Sequence, residues 1–211
     1  MDAVRYPPAL LEEWMRRYYF EVDADIGSSG VEDWSMAELR ALLGITHDEL
    51  DAVVFRDSQT LGGDGLRHAL AQRWTGGDAG RVMATHGSTE ANFLAMHALL
   101  SPGDEVVALD PIYPQLRAVA ATLGCRVRPW RMHADAGWRA DVGELEEMLA
   151  GRRVRMVICN FPHNPTGATL TPAEQDALVA ACARAGAFLV WDGAFADLVH
   201  DAPPLADPAL R

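Results

Sequence analysis

Four stretches of this 211-residue chain carry side chains able to do chemistry on a bound ligand. His86-Gly-Ser-Thr89 runs straight into an apolar-periodic segment. Gly87 permits a close turn there, and the N–H groups and hydroxyls of Ser88 and Thr89 suit a phosphate at the positive end of a helix. The same two residues also make an ordinary helix cap. Tyr113 follows Asp110-Pro111, where an aromatic face either covers a planar ligand ring or packs on a neighbouring helix. Asn164-Pro-Thr-Gly167 is a turn sequence in any protein, set here between Asn160 and Thr171. Asp192 closes the otherwise apolar run AFLVW. A carboxylate at the lip of a buried strand needs a partner, and a protonated ring nitrogen is one candidate; capping the next turn is the other.

The elements that position these residues read clearly from Arg81 onward. RVMAT, EVVALD, CRVRPW, RVRMVICN and AFLVWD are short apolar runs that predict five strands. Between them lie helical patterns over Ser88 to Leu100, Gln115 to Leu123, Val142 to Leu149 and Pro172 to Ala185, the last opened by the capping box Thr171-Pro-Ala-Glu174. Such alternation predicts right-handed βαβ units, hence an α/β, three-layer αβα sandwich with a mostly parallel sheet. Ligands of these sheets sit outside the carboxyl ends of the strands, where all four stretches fall.

Residues 1–80 read instead as helices and loops, with a helical pattern from Ala9 to Phe20, capping boxes at Ser35–Glu38 and Thr46–Glu49, and a helix over Leu66 to Trp74. The Gly-rich LGGDG before it is expected to be a loop, since no strand precedes it and its spacing is not a dinucleotide fingerprint. The division expected is an N-terminal helical segment, 1–80, and a larger α/β unit, 81–211.

Composition narrows the function classes. With 49% hydrophobic and 23% charged residues the chain has the make-up of a globular protein. Its net charge is -12, and all 18 basic residues are arginine, so nucleic acid is an unfavourable partner. Without lysine, neither a P-loop nor a Schiff base can be made from these residues. Cys125, Cys159 and Cys182 form no CxxC pair and lie in apolar stretches, which predicts buried free thiols, a reducing compartment and a cytoplasmic location. No apolar run approaches the ~20 residues of a membrane span.

Taken together and in order, Gly-Ser-Thr, an aromatic after proline, Asn-Pro-Thr-Gly, and an aspartate 28 residues beyond Asn164 resemble the class I/II pyridoxal-phosphate enzymes of the aspartate aminotransferase fold. The resemblance implies pyridoxal 5'-phosphate (PLP) as cofactor, its phosphate held at Gly87, Ser88 and Thr89. It implies that Tyr113 stacks on the ring, Asn164 bonds the ring hydroxyl, and Asp192 pairs with the ring nitrogen, keeping it protonated so that the ring accepts electrons. The stretches DIGSSGVEDWSMAELRALL, FRDSQTLGGDGLR, NFPHNPTGA and WDGAFADLVHDAPPLADP are similar to the capreomycidine synthase branch of that family, which cyclises a β-hydroxyarginine for antibiotic biosynthesis. An amino acid substrate and a homodimer follow from the same resemblance, with Ser29 and Gly30 assigned to the substrate. Asp25, Glu32 and Asp33 nearby are either an acidic pocket for its guanidinium or solvated loop charges.

Three departures from the family pattern stand out. Phe195 occupies the place of a tyrosine that bonds the ring hydroxyl. Asp57, five residues before Gly62, stands where a tyrosine usually reaches the partner subunit's phosphate. The family's Schiff-base lysine has no counterpart in these 211 residues, nor do two strands and a small C-terminal domain. The α/β unit is therefore expected to be incomplete at its C-terminal side, an N-terminal portion of an enzyme with no catalytic residue of its own and no turnover when isolated. The RVMAT strand would then stand apart from the others by two vacant strand positions, about 10 Å at ~4.8 Å per strand. An ordinary aminotransferase and a non-catalytic remnant are the other readings.

Overall fold

The computed structural model describes residues 6–199. Residues 1–5 and 200–211, with the end of the WDGAFADLVHDAPPLADP stretch, lie outside the described residues. Four helices come first: α1 (Leu10–Tyr18), α2 (Met36–Leu43), α3 (His47–Asp51) and α4 (Asp64–Trp74). Both expected capping boxes are present. The Ser35 hydroxyl accepts from the Glu38 N–H while the Glu38 carboxylate accepts from the Ser35 N–H, and Thr46 and Glu49 do the same. The LGGDG loop is shorter than expected, because Asp64 and Gly65 already belong to α4. Gly62 is required twice over: its φ is +99°, and a Cβ there would stand 2.6 Å from the Ala84 Cβ.

Beyond these come α5 (Gly87–Leu99), β1 (Glu105–Asp110), α6 (Pro114–Thr122), β2 (Arg126–Arg131), α7 (Val142–Leu149), β3 (Val154–Asn160), α8 (Pro172–Ala185) and β4 (Phe188–Asp192). The four strands form one parallel sheet in the order β2-β1-β3-β4. RVMAT corrects the expectation of five. Val82 is extended, but residues 82–85 join no ladder; they are tied to the rest by the Ala84 N–H donating to the Leu61 carbonyl at 2.9 Å and by the Arg67 Nε donating to the Val82 carbonyl at 2.9 Å. A strand is defined by a neighbour, and none lies beside this segment among the described residues.

The sheet has two buried faces, and the alternation of the strands sorts their residues between them. Val107, Leu109, Trp130, Val157 and Cys159 pack on one side against Leu145 and Leu149 of α7 and Leu178 and Cys182 of α8. Val106, Ala108, Met156 and Ile158 pack on the other against Met96 of α5 and Leu116, Val119 and Ala120 of α6. This is the expected three-layer arrangement. Because α6, which follows β1, and α8, which follows β3, lie on opposite faces, the crevice between the carboxyl ends of β1 and β3 is left open. Cys159 and Cys182 are buried free thiols as expected, whereas Cys125 is only partly covered. It follows the last turn of α6 at the rim of the sheet, where its thiol reaches the Ser101 carbonyl.

Candidate cofactor site

At the open crevice the ends of three strands and one helix enclose a cavity of about 220 Å³, lined by Ser29, Ser88, Thr89, Tyr113, Asn160, Asn164, Asp192, Ala194 and Phe195. Six of the expected site residues thus meet there: Ser29, Ser88, Thr89, Tyr113, Asn164 and Asp192. Gly87 adjoins them as the first residue of α5, with φ +79°. Gly30 is not in the wall. Nor are Asp25, Glu32 and Asp33, which gives no support to an acidic pocket at this loop. Asp25 bonds its own turn, accepting from the Gly27 and Ser28 N–H groups at 2.8 and 3.0 Å. The Ser28 hydroxyl and those N–H groups hold its carboxyl below the usual range. Asp57 is exposed and apart from the cavity.

Local structure positions the principal wall residues. The first-turn N–H groups of Ser88 and Thr89 have no carbonyl four residues back to bond. The N–H of the cap residue His86 is taken by Glu90 Oε2 at 2.6 Å, which leaves the end of α5 facing the cavity. The Tyr113 hydroxyl donates to Glu12 Oε1 of α1 at 2.6 Å. That bond, with burial and the nearby Glu12 and Asp192 charges, pushes the phenol up to about 12. The same ring also borders a larger, mostly apolar cavity of about 960 Å³ running between α1 and α6. Asn160, pairing with Asp192 in the β3–β4 register, accepts from the Asn164 N–H at 2.8 Å and donates to the Pro162 carbonyl at 3.1 Å.

Asp192 is 8% exposed. One oxygen accepts from Asn92 Nδ2 at 2.7 Å and the other from the Ala194 N–H at 3.0 Å. No arginine or histidine among the described residues lies within ion-pair distance of it. A buried carboxylate without a cation is costly, and this one lines a cavity whose other end is a helix N-terminus. A ligand with a protonated ring nitrogen at one end and a phosphate at the other satisfies both, so the residues present fit PLP. Among the described residues no group of three or more His, Cys, Asp or Glu is placed to hold a metal, and no helix is long and apolar enough to cross a membrane.

Three polar residues of this site were not singled out from the sequence: Asn92, Asn160 and His163, all buried. Their signal is an amide or imidazole within an otherwise apolar face, which is weak until the partner is seen. His163 ties two loops together, its Nε2 donating to the Pro111 carbonyl at 2.8 Å and its Nδ1 accepting from the Thr166 hydroxyl at 2.8 Å. Burial pulls this imidazole below the ordinary histidine value of 6.5, against a smaller rise from the Pro111 bond. With the folded pKa below the unfolded one, the unfolded chain takes up its proton first as pH falls through 6.5. Stability therefore declines from there until folded His163 protonates too. Urea melts from about pH 7.5 down to about pH 5.5 should show this slope, and His163→Gln should lose it; an unchanged slope in the variant would assign it to other groups.

A parallel αβα layer with a phosphate-type helix start and a buried aspartate at the strand ends defines the class of PLP-dependent transferase large domains. The chain belongs to the aminotransferase class I and II family, which it matches over residues 48–210. It is 46% identical to capreomycidine synthase of Streptomyces vinaceus over 207 residues, 96% of this chain and 52% of that protein. The arginine–pyruvate transaminase AruH of Pseudomonas aeruginosa is 31% identical over 133 residues, 63% of this chain and 34% of that one. Among solved structures, the PLP-dependent cyclase OrfR superposes with a TM-score of 0.84 at 43% identity, over 99% of this chain and 54% of that one. The N-succinyldiaminopimelate aminotransferase of Mycobacterium tuberculosis gives 0.78 at 28%, over 95% and 53%. The chain spans about half the length of the capreomycidine synthase and of both solved neighbours. The expected fold and the capreomycidine synthase likeness both hold, and PLP is the cofactor of the family.

Proposed function

We propose that this chain is the cofactor-binding portion of a PLP-dependent enzyme that cyclises 3-hydroxyarginine with loss of water. The observation that carries this reading is the 46% identity to capreomycidine synthase along 96% of the chain, together with the convergence of the expected residues on one cavity. Ser88 and Thr89, with the start of α5, hold the phosphate; Tyr113 covers the ring, Asn164 bonds its hydroxyl and Asp192 its nitrogen. When bound, PLP supplies an electron-accepting ring to the α-carbon of an amino acid. Asp192 holds a proton at the ring nitrogen, and Phe195, also in the wall, withholds a hydroxyl from the ring oxygen. One hydrogen bond fewer, worth about 0.5–1.5 kcal/mol, biases the partition between transamination and loss of a β-substituent. In the net change the Cβ–OH bond and one guanidino N–H bond break and a guanidino N–Cβ bond forms, the hydroxyl and that proton leaving as one water.

In this reading residues 1–80 cover the α/β unit of 81–211, and Ser29, which borders the cofactor cavity and an adjoining one of about 560 Å³, meets the substrate. The enzyme is a cytoplasmic homodimer. Support comes from large apolar side chains left open on the N-terminal segment, Phe20 at 88% and Ile26 and Phe55 at 99% exposure, which a second subunit would cover. The lysine that such chemistry needs is absent from these 211 residues, so the proposed activity requires polypeptide beyond them.

The test joins residues 1–199 to the C-terminal half of the Streptomyces vinaceus enzyme. The chimera is fed 3-hydroxyarginine with PLP and no keto acid. The expected product is a cyclic guanidine lighter by one water. Consumption only after pyruvate is added would instead establish a transaminase, a second reading favoured by the likeness to AruH.

A further inference from the structure

We infer that Asn92 is a positioning residue that keeps the cofactor's ring nitrogen protonated, acting through Asp192; this rests on the cofactor reading above. Asn92 lies on α5, one helical turn after Ser88 and one before Met96, so it occupies the stripe that packs on the sheet. It is 7% exposed. An apolar residue would suit that stripe better, since a buried amide is costly without a partner. Its partner is Asp192 Oδ2, at 2.7 Å and 100 residues away in sequence. A carboxylate only accepts, so the amide must present Nδ2 to it.

The consequence is directional. When a carboxylate and a pyridine nitrogen share one proton, the proton rests on whichever is the stronger base. A donor held against the carboxylate stabilises its charged form and weakens it as a base. Asn92 thus leaves the proton on the ring. The Ala194 N–H adds a second donor on the other oxygen, but it comes from the turn directly after β4 and is supplied by the backbone. Asn92 is the one side-chain donor to this carboxylate among the described residues. The titratable groups facing Asp192 are Tyr113, from the loop after β1, and Cys159, the neighbour of Asn160 on β3. Both are held neutral, their ionisation pushed upward, and Glu12 lies beyond Tyr113 on its hydroxyl. None competes with Asn92 as a donor to Oδ2.

The test uses the full 211-residue chain saturated with PLP labelled with ¹⁵N in the ring, the ¹⁵N resonance being followed as pH rises. In the parent chain the resonance should report a protonated nitrogen. In Asn92→Leu, which keeps the volume and removes the donor, the carboxylate becomes the stronger base, so on the acid side of the titration the ¹⁵N resonance should move from the protonated toward the neutral-ring position, the N-to-O proton equilibrium shifting about tenfold, the size of one hydrogen bond to a charged group. Asn92→Ala repeats the measurement should the leucine variant not fold. A purely structural Asn92 would lower the melting temperature and leave the ¹⁵N titration where the parent has it; that result in either folded variant overturns the inference while the cofactor reading stands. A parent chain that binds no PLP defeats both.

Discussion

Asp192→Ala is expected to weaken PLP binding by at least about a hundredfold, as removal of one member of a buried charge pair costs about 3–5 kcal/mol. The substitution would take away the proposed charged partner of the ring nitrogen, and it also strands Asn92 Nδ2, whose acceptor it was. Asp192→Asn separates charge from shape. It fills the same space yet offers no charge to a protonated nitrogen, so it should also bind weakly. Free of cofactor, though, it should unfold at no lower denaturant than the parent, because a buried carboxylate without a cation is gone. Fluorescence titration with PLP and urea melts of the three chains give both numbers. Binding by Asp192→Ala as tight as the parent's would end the assignment of this residue.

The second large effect lies in the core. Trp130 is fully buried in the layer between β2 and α7, and its Nε1 donates to the Asp141 carbonyl at 2.9 Å. Asp141 is the cap of α7, accepting from the Gly143 and Glu144 N–H groups. One indole therefore fills the space under α7 and fixes the residue that starts it. Trp130→Ala should cost about 3–5 kcal/mol by urea denaturation, from the cavity and the lost bond together. Such a loss is comparable with the whole stability of a small domain. A cost below about 1 kcal/mol would show that α7 closes onto the sheet without it.

What was legible beforehand follows from where each signal resides. The helix over Pro172–Ala185 matched its observed ends because Thr171, Glu174, Pro172 and Gly186 write the cap chemistry locally. The four paired strands were legible from apolar runs of the right length. RVMAT carries an equally good run, but pairing is a property of neighbours, and no neighbour is encoded within those five residues. The same distinction separates the site residues. Asp192 announces itself as a charge ending an apolar run, and Asn164 by the turn it begins. Asn92 does neither, since a single amide in a helix gives no sign of a partner on a strand one hundred residues later. Asp25 left two readings open for the opposite reason: its carboxylate is occupied by its own turn, which composition does not disclose. Gly62, by contrast, has a requirement that no local signal carries, since its contact with Ala84 depends on the fold.

The His163 tie has a thermodynamic consequence for the crevice. The loop bearing Tyr113 and the turn bearing Asn164 begin at different strands, and free chains of that kind would each lose backbone entropy on closing around a ligand, about 1–2 kcal/mol for every residue ordered. With one imidazole bonded to both, that ordering is completed when the protein folds and is not charged again at each encounter. Tyr113 and Asn164 on the two walls are therefore expected to keep their spacing when a ligand enters, so that affinity there is set by contacts and scarcely by rearrangement.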